Sequence, residues 1–333
     1  MRNLSISVYF ARAVLKHAVS KGLDPVALLR KNRISPRLLL EDDARISMER
    51  FADLQVSIML AMGDESLGYS ERRIPIGSWT MMCHAVIASE TLGQAMHRFC
   101  RFFQLFEFGV GPHFLAEKDT IRLRLAAQNS TSAPDSYAAE MALFNAHRFA
   151  SWLVQEHLPI QVVNLAYAPK AQAKDYRHMF LASPVVFECD FSELVLSSAL
   201  MEKRVSQNEQ SLKRFLRHPV LIMLTQDYAH NSFTLKVRDI MRRNLQQMPE
   251  LGNVANTLGM HPQTLRRRLA AEGATFKEIK IQARRDTALY YLGKQGLSIE
   301  EIAYRAGFSE SSAFIRAFKT WTGVTPYSYR KGL

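Results

Sequence analysis

The chain has 333 residues, a length that allows two domains of ordinary size, and 47% of its residues are hydrophobic. This composition is sufficient for two cores and excludes a disordered or fibrous protein. The formal net charge is +12, and the three cysteines are too few and too scattered for a disulfide framework or a thiolate metal site.

The sequence also gives no sign of a membrane protein. Arg12 and Lys16 interrupt the amino-terminal apolar stretch, so no secretory signal is expected there. No run of about 18 apolar residues suggests a membrane span. We therefore expect a protein without membrane contact that works in the cytoplasm, with reduced thiols.

Hydrophobic periodicity predicts a mixed α and β region over the first 200 residues. Helices are predicted over residues 6–30 (a long helix and a short one), 46–62, 81–88, 92–106, 136–156 and near 171–180. Strands are predicted over residues 106–116, 120–127, 161–167, 184–188 and 194–196. The strands and helices do not alternate regularly, which favours an α+β fold over a doubly wound parallel sheet.

An irregular segment at residues 63–78 separates two of these helices and contains Arg72 and Arg73. Binding sites are often carried by irregular segments on a rigid scaffold. We therefore predict that Arg72, Arg73 and the adjacent Trp79 contact an effector. The arginines would pair with an anionic effector, whereas with an apolar effector they would be surface residues.

Residues 198–217 form a polar stretch that predicts a connecting helix, and an apolar helix starts near residue 220. The predicted organisation is a regulatory and dimerisation domain at 1–200, a helical connector at 201–231 and a separate domain at 232–333. The connector can be an oligomerisation helix or a solvated helix between domains, and the pattern leaves both open.

A helix-turn-helix pattern follows near residue 254. Val254, Ala255 and Leu258 are apolar on one short helix, Gly259 supplies a turn, and Pro262 can open the next helix. On that second helix Leu265 and Leu269 are expected to face inward. Its remaining surface carries Gln263, Thr264, Arg266, Arg267 and Arg268. Taken alone, three consecutive arginines can also be a solvated charged face.

The pattern recurs about fifty residues later. Ile299, Ile302, Ala303 and Ala306 have helical spacing, Gly307 supplies the turn, and Ser309 is the predicted N-cap of the next helix. Its apolar stripe of Ala313, Phe314, Ala317, Phe318 and Trp321 is assigned to packing. Its polar face carries Ser311, Ser312, Ile315, Arg316 and Lys319. Hydroxyls and an arginine suit base edges in a major groove.

Positive charge is concentrated where these motifs lie. Residues 232–333 contain 17 Lys and Arg against 8 Asp and Glu, whereas the other 231 residues contain 26 against 23. DNA binding by neutralisation of phosphates requires such a distribution.

These residues carry a family resemblance. Residues 232–329 resemble the tandem helix-turn-helix domain of the AraC/XylS transcription regulators. The resemblance rests on Ala255, Leu258-Gly259-Met260, Thr264-Leu265-Arg266-Arg267, Ile302-Ala303, Ala306-Gly307-Phe308, Ser309, Phe314, Arg316, Phe318, Lys319, Gly323, Thr325-Pro326, Tyr329 and Arg330. His261 departs from the pattern, because a serine is commoner at that N-cap.

The resemblance implies which side chains meet DNA. Gln263, Arg266 and Arg267 would lie on the first recognition helix, and Ser311, Ser312, Ile315 and Arg316 on the second. A helix at about 277–294 would hold the two units apart, and recognition helices that contact one face of DNA lie about one helical turn, roughly 34 Å, apart. One chain would therefore contact two successive major grooves.

The first region resembles the arabinose-binding-like regulatory domain of the same regulators, in its layout and in short pieces such as Pro75-Ile76-Gly77. The resemblance implies a homodimer that senses a small molecule or a protein partner, binds promoter DNA, acts with RNA polymerase and works at the bacterial nucleoid. Activation is the expected direction of regulation.

Enzyme motifs are missing from the sequence. There is no Walker loop, no GxGxxG after a strand, no HExxH, no paired CxxC and no nucleophile elbow. If His147 and His157 share one helix, ten residues put them nearly three turns apart, and we expect that to be too far for them to share a metal. We predict no enzyme activity, no metal and no cofactor. An architectural DNA-binding or interaction protein of low specificity is the alternative to a sequence-specific regulator.

Overall fold

The structure, a computed structural model, describes residues 5–42, 44–105, 109–127, 135–169, 176, 179–180, 183–226, 233–272, 274–294 and 296–331. The chain folds into two compact units. The central unit contains residues 17–22 and 58–228. The terminal unit contains residues 1–16, 23–57 and 229–333, so that both ends of the chain belong to it.

The amino-terminal part forms a small strand pair with helices. Its elements are β1 (Ser5–Ser7), α1 (Val8–Ser20), α2 (Pro25–Lys31), a 3₁₀ turn (Pro36–Leu40), β2 (Arg45–Ser47) and α3 (Met48–Met62). β1 and β2 pair antiparallel with Ile6 opposite Ile46. The buried rings of Phe10 and Phe51 pack edge to face, with centroids 6.4 Å apart. This contact joins α1 to α3 inside the terminal unit.

The longer helices described in the central unit are α4 (Ser78–Ile87), α5 (Leu92–Gln104) and α6 (Ser136–Val154). Phe149 on α6 lies at the centre of an aromatic core, since its ring contacts Trp79, Phe99, Trp152 and Phe215. Two short helices follow, α7 (Glu209–Phe215) and α8 (Pro219–Thr225).

A five-stranded sheet completes the central unit. Its strands are β3 (Val110–Ala116), β4 (Thr120–Ala127), β5 (Ile160–Asn164), β6 (Val185–Val186) and β7 (Glu193–Ser197), in the order β3-β4-β7-β5-β6. Neighbouring strands are antiparallel except β5 and β6. Ile121, Leu123 and Leu125 of β4 are buried at every second position, as expected for a strand with one face on the core.

Most predicted elements of this region are confirmed, with shifted ends. The expected separation of His147 and His157 is wrong, because α6 ends at Val154 and the two ring centroids lie 5.9 Å apart. Residues 106–108, and all of the predicted helix near 171–180 except 176 and 179–180, lie outside the described residues. The prediction of one helix over 198–217 is wrong. The structure has a 3₁₀ turn (Ser198–Glu202), an extended stretch and then α7. Backbone N–H groups of Val205 and Ser206 donate to the carbonyls of Glu90 and Leu153, and these tertiary bonds replace helical ones.

In the carboxyl-terminal part, all the regular elements that the structure describes are helices. Its elements are α9 (Phe233–Arg243), α10 (Leu251–Thr257), α11 (Pro262–Ala271), α12 (Phe276–Leu292), α13 (Ile299–Arg305), α14 (Ser311–Thr322) and α15 (Pro326–Lys331). One core, which includes Val237, Val254, Leu265 and Leu269, lies under α10 and α11. A second includes the rings of Phe314 and Phe318, which are tilted relative to each other with centroids 5.7 Å apart, and Tyr329 packs edge to face against Phe318.

The predicted fold class is therefore confirmed: an α+β region precedes an all-α region with two helix-turn-helix units. The roles assigned to 1–200, 201–231 and 232–333 stay predictions. In the part of the chain that the structure describes, no helix combines the length and the apolar character needed to cross a bilayer.

Candidate nucleic-acid interface

The first helix-turn-helix unit consists of α10, a tight turn and α11. Gly259 in the turn has a φ of +66°, a left-handed conformation that glycine adopts without strain. Pro262 begins α11, and the Nδ1 atom of His261 accepts a hydrogen bond from the backbone N–H of Gln263 at 3.3 Å. Histidine thus serves as the cap at the position where the regulators that this segment resembles more often have serine.

The exposed face of α11 carries the predicted contacts. Leu265 and Leu269 are buried, whereas Gln263, Thr264, Arg266 and Arg267 are exposed. Arg266 donates to the side-chain oxygen of Gln263 at 3.1 Å, which pairs two groups able to contact bases. Arg268 differs from its neighbours because its guanidinium lies over the ring of Phe233, 4.6 Å from the centroid.

The second unit consists of α13, the turn at Gly307 and α14. Ser298 and Glu301 form a capping box that begins α13, with bonds of 3.0 and 2.7 Å. Gly307 has a φ of +80°, and Gly323 ends α14 with a φ of +75°. Both turns therefore rely on glycine in the left-handed region.

The predicted N-cap of α14 is wrong. The helix begins at Ser311 with Glu310 as its N-cap, and no side chain caps it there. Ser309 lies one residue too early, and the serine hydroxyl that bonds locally is that of Ser312, which donates to the Glu310 carboxylate at 3.3 Å. The backbone N–H groups at the start of α14 therefore lack a side-chain acceptor among the described residues.

The exposed face of α14 combines hydroxyls, one aliphatic side chain and two cations. Ser312, Arg316 and Lys319 are exposed, and Ser311 and Ile315 are half-buried. The spacing from Ser312 through Ile315 and Arg316 to Lys319 puts these side chains on one face of the helix. Phe314 and Phe318 are completely buried on the other side.

The long helix α12 is tied to both units by its basic side chains. Lys280 pairs with Glu250, the N-cap residue of α10, at 2.7 Å. One turn later, Arg284 donates to the carbonyl oxygen of Gly307 at 2.8 Å and lies over the Phe308 ring at 4.5 Å. Sequence reasoning missed these two side chains, because their partners are 23 and 30 residues away.

The turn of the second unit also packs against the first. A β-carbon on Gly307 would lie 2.5 Å from the carbonyl oxygen of Leu245 and 2.7 Å from the sulfur of Met248. Leu245 belongs to the core of the first unit. The two helix-turn-helix units are therefore held in one arrangement by Gly307 and by the contacts of α12.

The predicted effector residues lie in the central unit. Arg72 and Arg73 are exposed, and the ring of Trp79 packs edge to face against Phe99 and Phe149 at 6.3 and 5.5 Å. The Trp79 indole nitrogen is buried and has no hydrogen-bond acceptor among the described residues. The structure thus puts Trp79 in the aromatic core and the two arginines at the surface.

Two acidic residues organise the segment that contains these arginines. The Asp64 carboxylate accepts bonds from the backbone of Ser66, Gly68 and Ile74, and the Glu65 carboxylate accepts from Gly77 and Trp79. Burial raises the pKa of Glu65, although the two backbone donors act in the opposite direction. The sequence analysis missed both acids, although two consecutive acids just after a helix-ending glycine were visible.

Comparison with protein families gives two matches that together cover most of the chain. Residues 22–205 match the family described as the arabinose-binding domain of AraC transcription regulator, N-terminal. Residues 254–332 match a helix-turn-helix domain family. Both candidate recognition helices lie inside the second match.

Two individual relatives, compared by sequence, agree with these matches. The ornithine utilization regulator of Pseudomonas aeruginosa is 27% identical over 328 residues, which cover 98% of this chain and 96% of the relative. The regulator VirS of Mycobacterium tuberculosis is 46% identical over 77 residues, 23% of each chain. Among solved structures, the regulator CdpR from Pseudomonas aeruginosa is 22% identical with a TM-score of 0.33, covering 97% of this chain and 98% of that one.

Proposed function

Because the chain belongs to the AraC family of DNA-binding transcription regulators, which are not enzymes, we propose that it activates specific promoters by inserting α11 and α14 into successive major grooves. The observation that carries this proposal is that α11 and α14 each expose a polar face and lie in units that are both tied to the same helix, α12. α12 has 17 residues, which corresponds to a length of about 25 Å. Its ties to Glu250 and Gly307 keep the two faces in one relative arrangement, as a fixed operator spacing demands.

The proposed roles follow from side-chain chemistry. Arg266, Arg267 and Arg316 would contact guanine bidentately in the major groove. Gln263 would contact adenine, Ile315 a thymine methyl group, and the hydroxyls of Thr264, Ser311 and Ser312 either bases or phosphates. Lys319 would neutralise a phosphate, one turn of α14 beyond Ile315.

The regulatory half of the proposal concerns the central unit. We propose that it responds to a small molecule or a protein partner, that it supports a homodimer, and that the DNA-bound protein contacts RNA polymerase at the nucleoid. The relative named for ornithine utilization supports a metabolic signal, and a relative named as an activator, CfaD of Escherichia coli, supports activation. A signal acts only if it binds one arrangement of the protein better than another.

Arg72, Arg73 and Trp79 stay proposed effector contacts. Two exposed guanidinium groups would bind an anionic effector, and the Trp79 N–H is a donor without an acceptor among the described residues. Binding of an effector near Trp79 would change the tryptophan fluorescence, and Arg72→Ala with Arg73→Ala would weaken that response.

The experiment that tests the DNA-binding proposal is genome-wide occupancy in the host organism. The protein is compared with Arg267→Ala plus Arg316→Ala. The control is Arg268→Ala plus Arg305→Ala, which removes the same charge from arginines that lie over the rings of Phe233 and Tyr291. We expect a few sharp peaks with a shared motif that the first double variant loses and the control keeps.

The opposite outcome is equally clear. Broad occupancy without a motif, retained by Arg267→Ala plus Arg316→Ala, would favour the low-specificity architectural protein over the regulator. Transcription of the genes next to the peaks, measured with and without the protein, would decide between activation and repression.

A further inference from the structure

The central unit contains a second site candidate, a cavity of about 550 Å³ that is widely open to solvent. It is bounded by one face of α5, by the β3–β4 hairpin and by the 3₁₀ turn Ser198–Glu202. Its volume is in the range of small-molecule sites in proteins. None of the proposed effector contacts Arg72, Arg73 and Trp79 lines it.

Hydrogen bonds fix the three walls relative to one another. The backbone N–H of Leu92, at the start of α5, donates to the carbonyl of Lys203 at 2.8 Å. That of Ser198 donates to Asp119 in the hairpin turn at 3.0 Å. Gly93 allows close approach, since a β-carbon there would lie 3.2 Å from the β-carbon of Met201. Backbone hydrogen bonds and close packing therefore join the three walls of the cavity.

The lining combines apolar side chains with charges of both signs. Phe114, Ile121 and Met201 contribute apolar surface, and Ile121 and Met201 are largely buried. His97 and Arg98 lie on the α5 wall, whereas Glu117 and Glu202 lie on the other two walls. A ligand in this cavity would meet positive charge on one side and negative charge on another.

The charged groups differ in what they already bind. Glu117 accepts bonds from Thr120 and Arg122 at 2.9 and 2.7 Å, and the bond from Arg122 lowers its pKa. Arg98 and Glu202 form no hydrogen bond or ion pair with any residue that the structure describes. The ring of His97 likewise has no such partner in the described ranges.

We propose that this cavity binds a small aliphatic amino acid, with its carboxylate at Arg98, its ammonium group at Glu202 and its hydrocarbon part on Phe114, Ile121 and Met201. The charges on the walls match a zwitterion, and bonds between ionised partners are the strong ones. The apolar lining suits an aliphatic body. This proposal rests on the proposed function, because it supplies the signal that the central unit would sense.

Calorimetric titration of the full chain near pH 7 tests the ligand class with four probes of equal carbon number. L-Norvaline carries a carboxylate and an ammonium group on the same carbon atom, whereas 5-aminovalerate carries them at opposite ends of its chain. Valerate and pentylamine each carry only one. We expect at least one of these two zwitterions to bind, with one ligand molecule per protein chain. We expect each singly charged probe to bind about ten- to a hundredfold more weakly, the usual effect of losing a charged hydrogen-bond partner.

Variants with matched controls assign the binding to this cavity. Arg98→Ala and Glu202→Gln should each weaken binding of the zwitterion about ten- to a hundredfold. Arg101→Ala on the same helix and Glu90→Gln before it remove exposed charges that do not line the cavity, and should leave binding unchanged. Ala116→Trp, at an exposed lining position, should block binding by filling space.

Several outcomes overturn the proposal. These are the failure of both zwitterions to bind, an equal affinity for the bound zwitterion and for valerate or pentylamine, and equal losses of affinity in the lining variants and in their controls. Loss in Arg72→Ala with Arg73→Ala but not in Arg98→Ala would assign the effector to residues 63–78 instead. Binding to promoter DNA is measured on the same preparations. Specific DNA binding without amino-acid binding would reject this inference alone and leave the proposed regulator intact.

Discussion

The guanidinium of Arg50 occupies the space that any side chain at Gly293 would need. A β-carbon on Gly293 would lie 1.5 Å from Nη2 of Arg50, which is only 9% exposed and donates from Nη1 to the carbonyl of Arg33 at 2.6 Å. Gly293 ends α12. In the same way, a β-carbon on Gly323 at the end of α14 would lie 2.6 Å from the Glu41 carboxylate. Residues 23–57 thus pack on the ends of α12 and α14 in the carboxyl-terminal part.

Gly293→Ala should therefore destabilise the terminal unit. The added methyl group must displace a buried guanidinium, and such overpacking costs about 1 to 3 kcal/mol. The free energy of unfolding in urea measures the effect. Gly252→Ala in the first turn of α10 is the matched control. Among the described residues, no atom outside the adjacent residues and the backbone of α10 lies within 4 Å of its β-carbon, and alanine favours a helix, so this change should be neutral or stabilising by up to about 1 kcal/mol.

The double variant Arg50→Ala plus Gly293→Ala separates this contact from a general effect of the substitution. Removal of the guanidinium makes room for the methyl group, so the two changes should be non-additive by about 0.5 to 3 kcal/mol. Simple additivity would show that Arg50 and Gly293 are not in contact in solution.

The turn at Gly307 should tolerate a side chain less well than the turn at Gly259. Both glycines have positive φ, so alanine costs about 1 to 2 kcal/mol of backbone strain at each. At Gly259 no atom of the residues that the structure describes, apart from the adjacent residues, lies within 4 Å of the added carbon. At Gly307 the carbonyl of Leu245 and the sulfur of Met248 lie within 3 Å. Gly307→Ala should therefore lose more stability than Gly259→Ala, and it should also weaken binding to a two-groove DNA site.

The affinity of the Gly307→Ala variant for half of that DNA site tests whether Gly307 sets the arrangement of the two helix-turn-helix units. If Gly307 sets the arrangement of the two units, Gly307→Ala should weaken binding to the whole site more than binding to either half alone. Equal losses on whole and half sites, measured by fluorescence anisotropy at constant salt, would argue against a fixed arrangement.

The recognition helices should respond differently to loss of Arg316 and of Lys319. Arg316→Ala should cost about 1 to 3 kcal/mol on the specific site and relax the preference at one base pair. Lys319→Ala should weaken binding to all sequences about equally and reduce the slope of log affinity against log salt by about 1. Titrations at several salt concentrations, on the site and on single-base variants of it, measure both quantities. Equal effects of the two substitutions on every sequence would contradict base contact by Arg316.

Local sequence was sufficient for the helix-turn-helix units but not for what fixes them. Leu265, Leu269, Phe314 and Phe318 have helical spacing, and the structure buries all four. The bond from Arg284 to Gly307 joins residues that are 23 positions apart and has no local pattern. The α+β region could be predicted only in outline. Apolar and polar residues alternate along each strand and reveal it locally, but the order of the strands in the sheet depends on pairing between distant segments.

The errors came from tertiary bonds that compete with local preference. The polar stretch after Ser198 has helical composition, yet the carbonyls of Glu90 and Leu153 accept from its backbone and hold it extended. Ser309 is a good N-cap residue by type, but α14 starts two residues later. The packing of residues 23–57 on the carboxyl-terminal helices could not be predicted, because no local sequence pattern around Arg50 indicates a contact with Gly293.

The stability of the central unit should fall as the pH drops below about 6.5, and His147 should cause part of this fall. Burial, followed by the nearby charge of Arg148, lowers the pKa of His147 to about 3, and its Nε2 lies 2.8 Å from the carbonyl oxygen of Leu158, so the neutral ring donates there. Between about pH 6.5 and 3 the unfolded chain binds a proton that the folded one does not, and the free energy of unfolding falls by up to about 1.4 kcal/mol per pH unit.

The variant His147→Gln keeps an N–H donor but cannot be protonated. It should make the dependence of the free energy of unfolding on pH shallower between pH 7.5 and 5.5, as measured by urea unfolding. The exposed His218→Gln is the control and should leave the slope as it is, while an unchanged slope in His147→Gln would show that this ring is not held neutral by the fold.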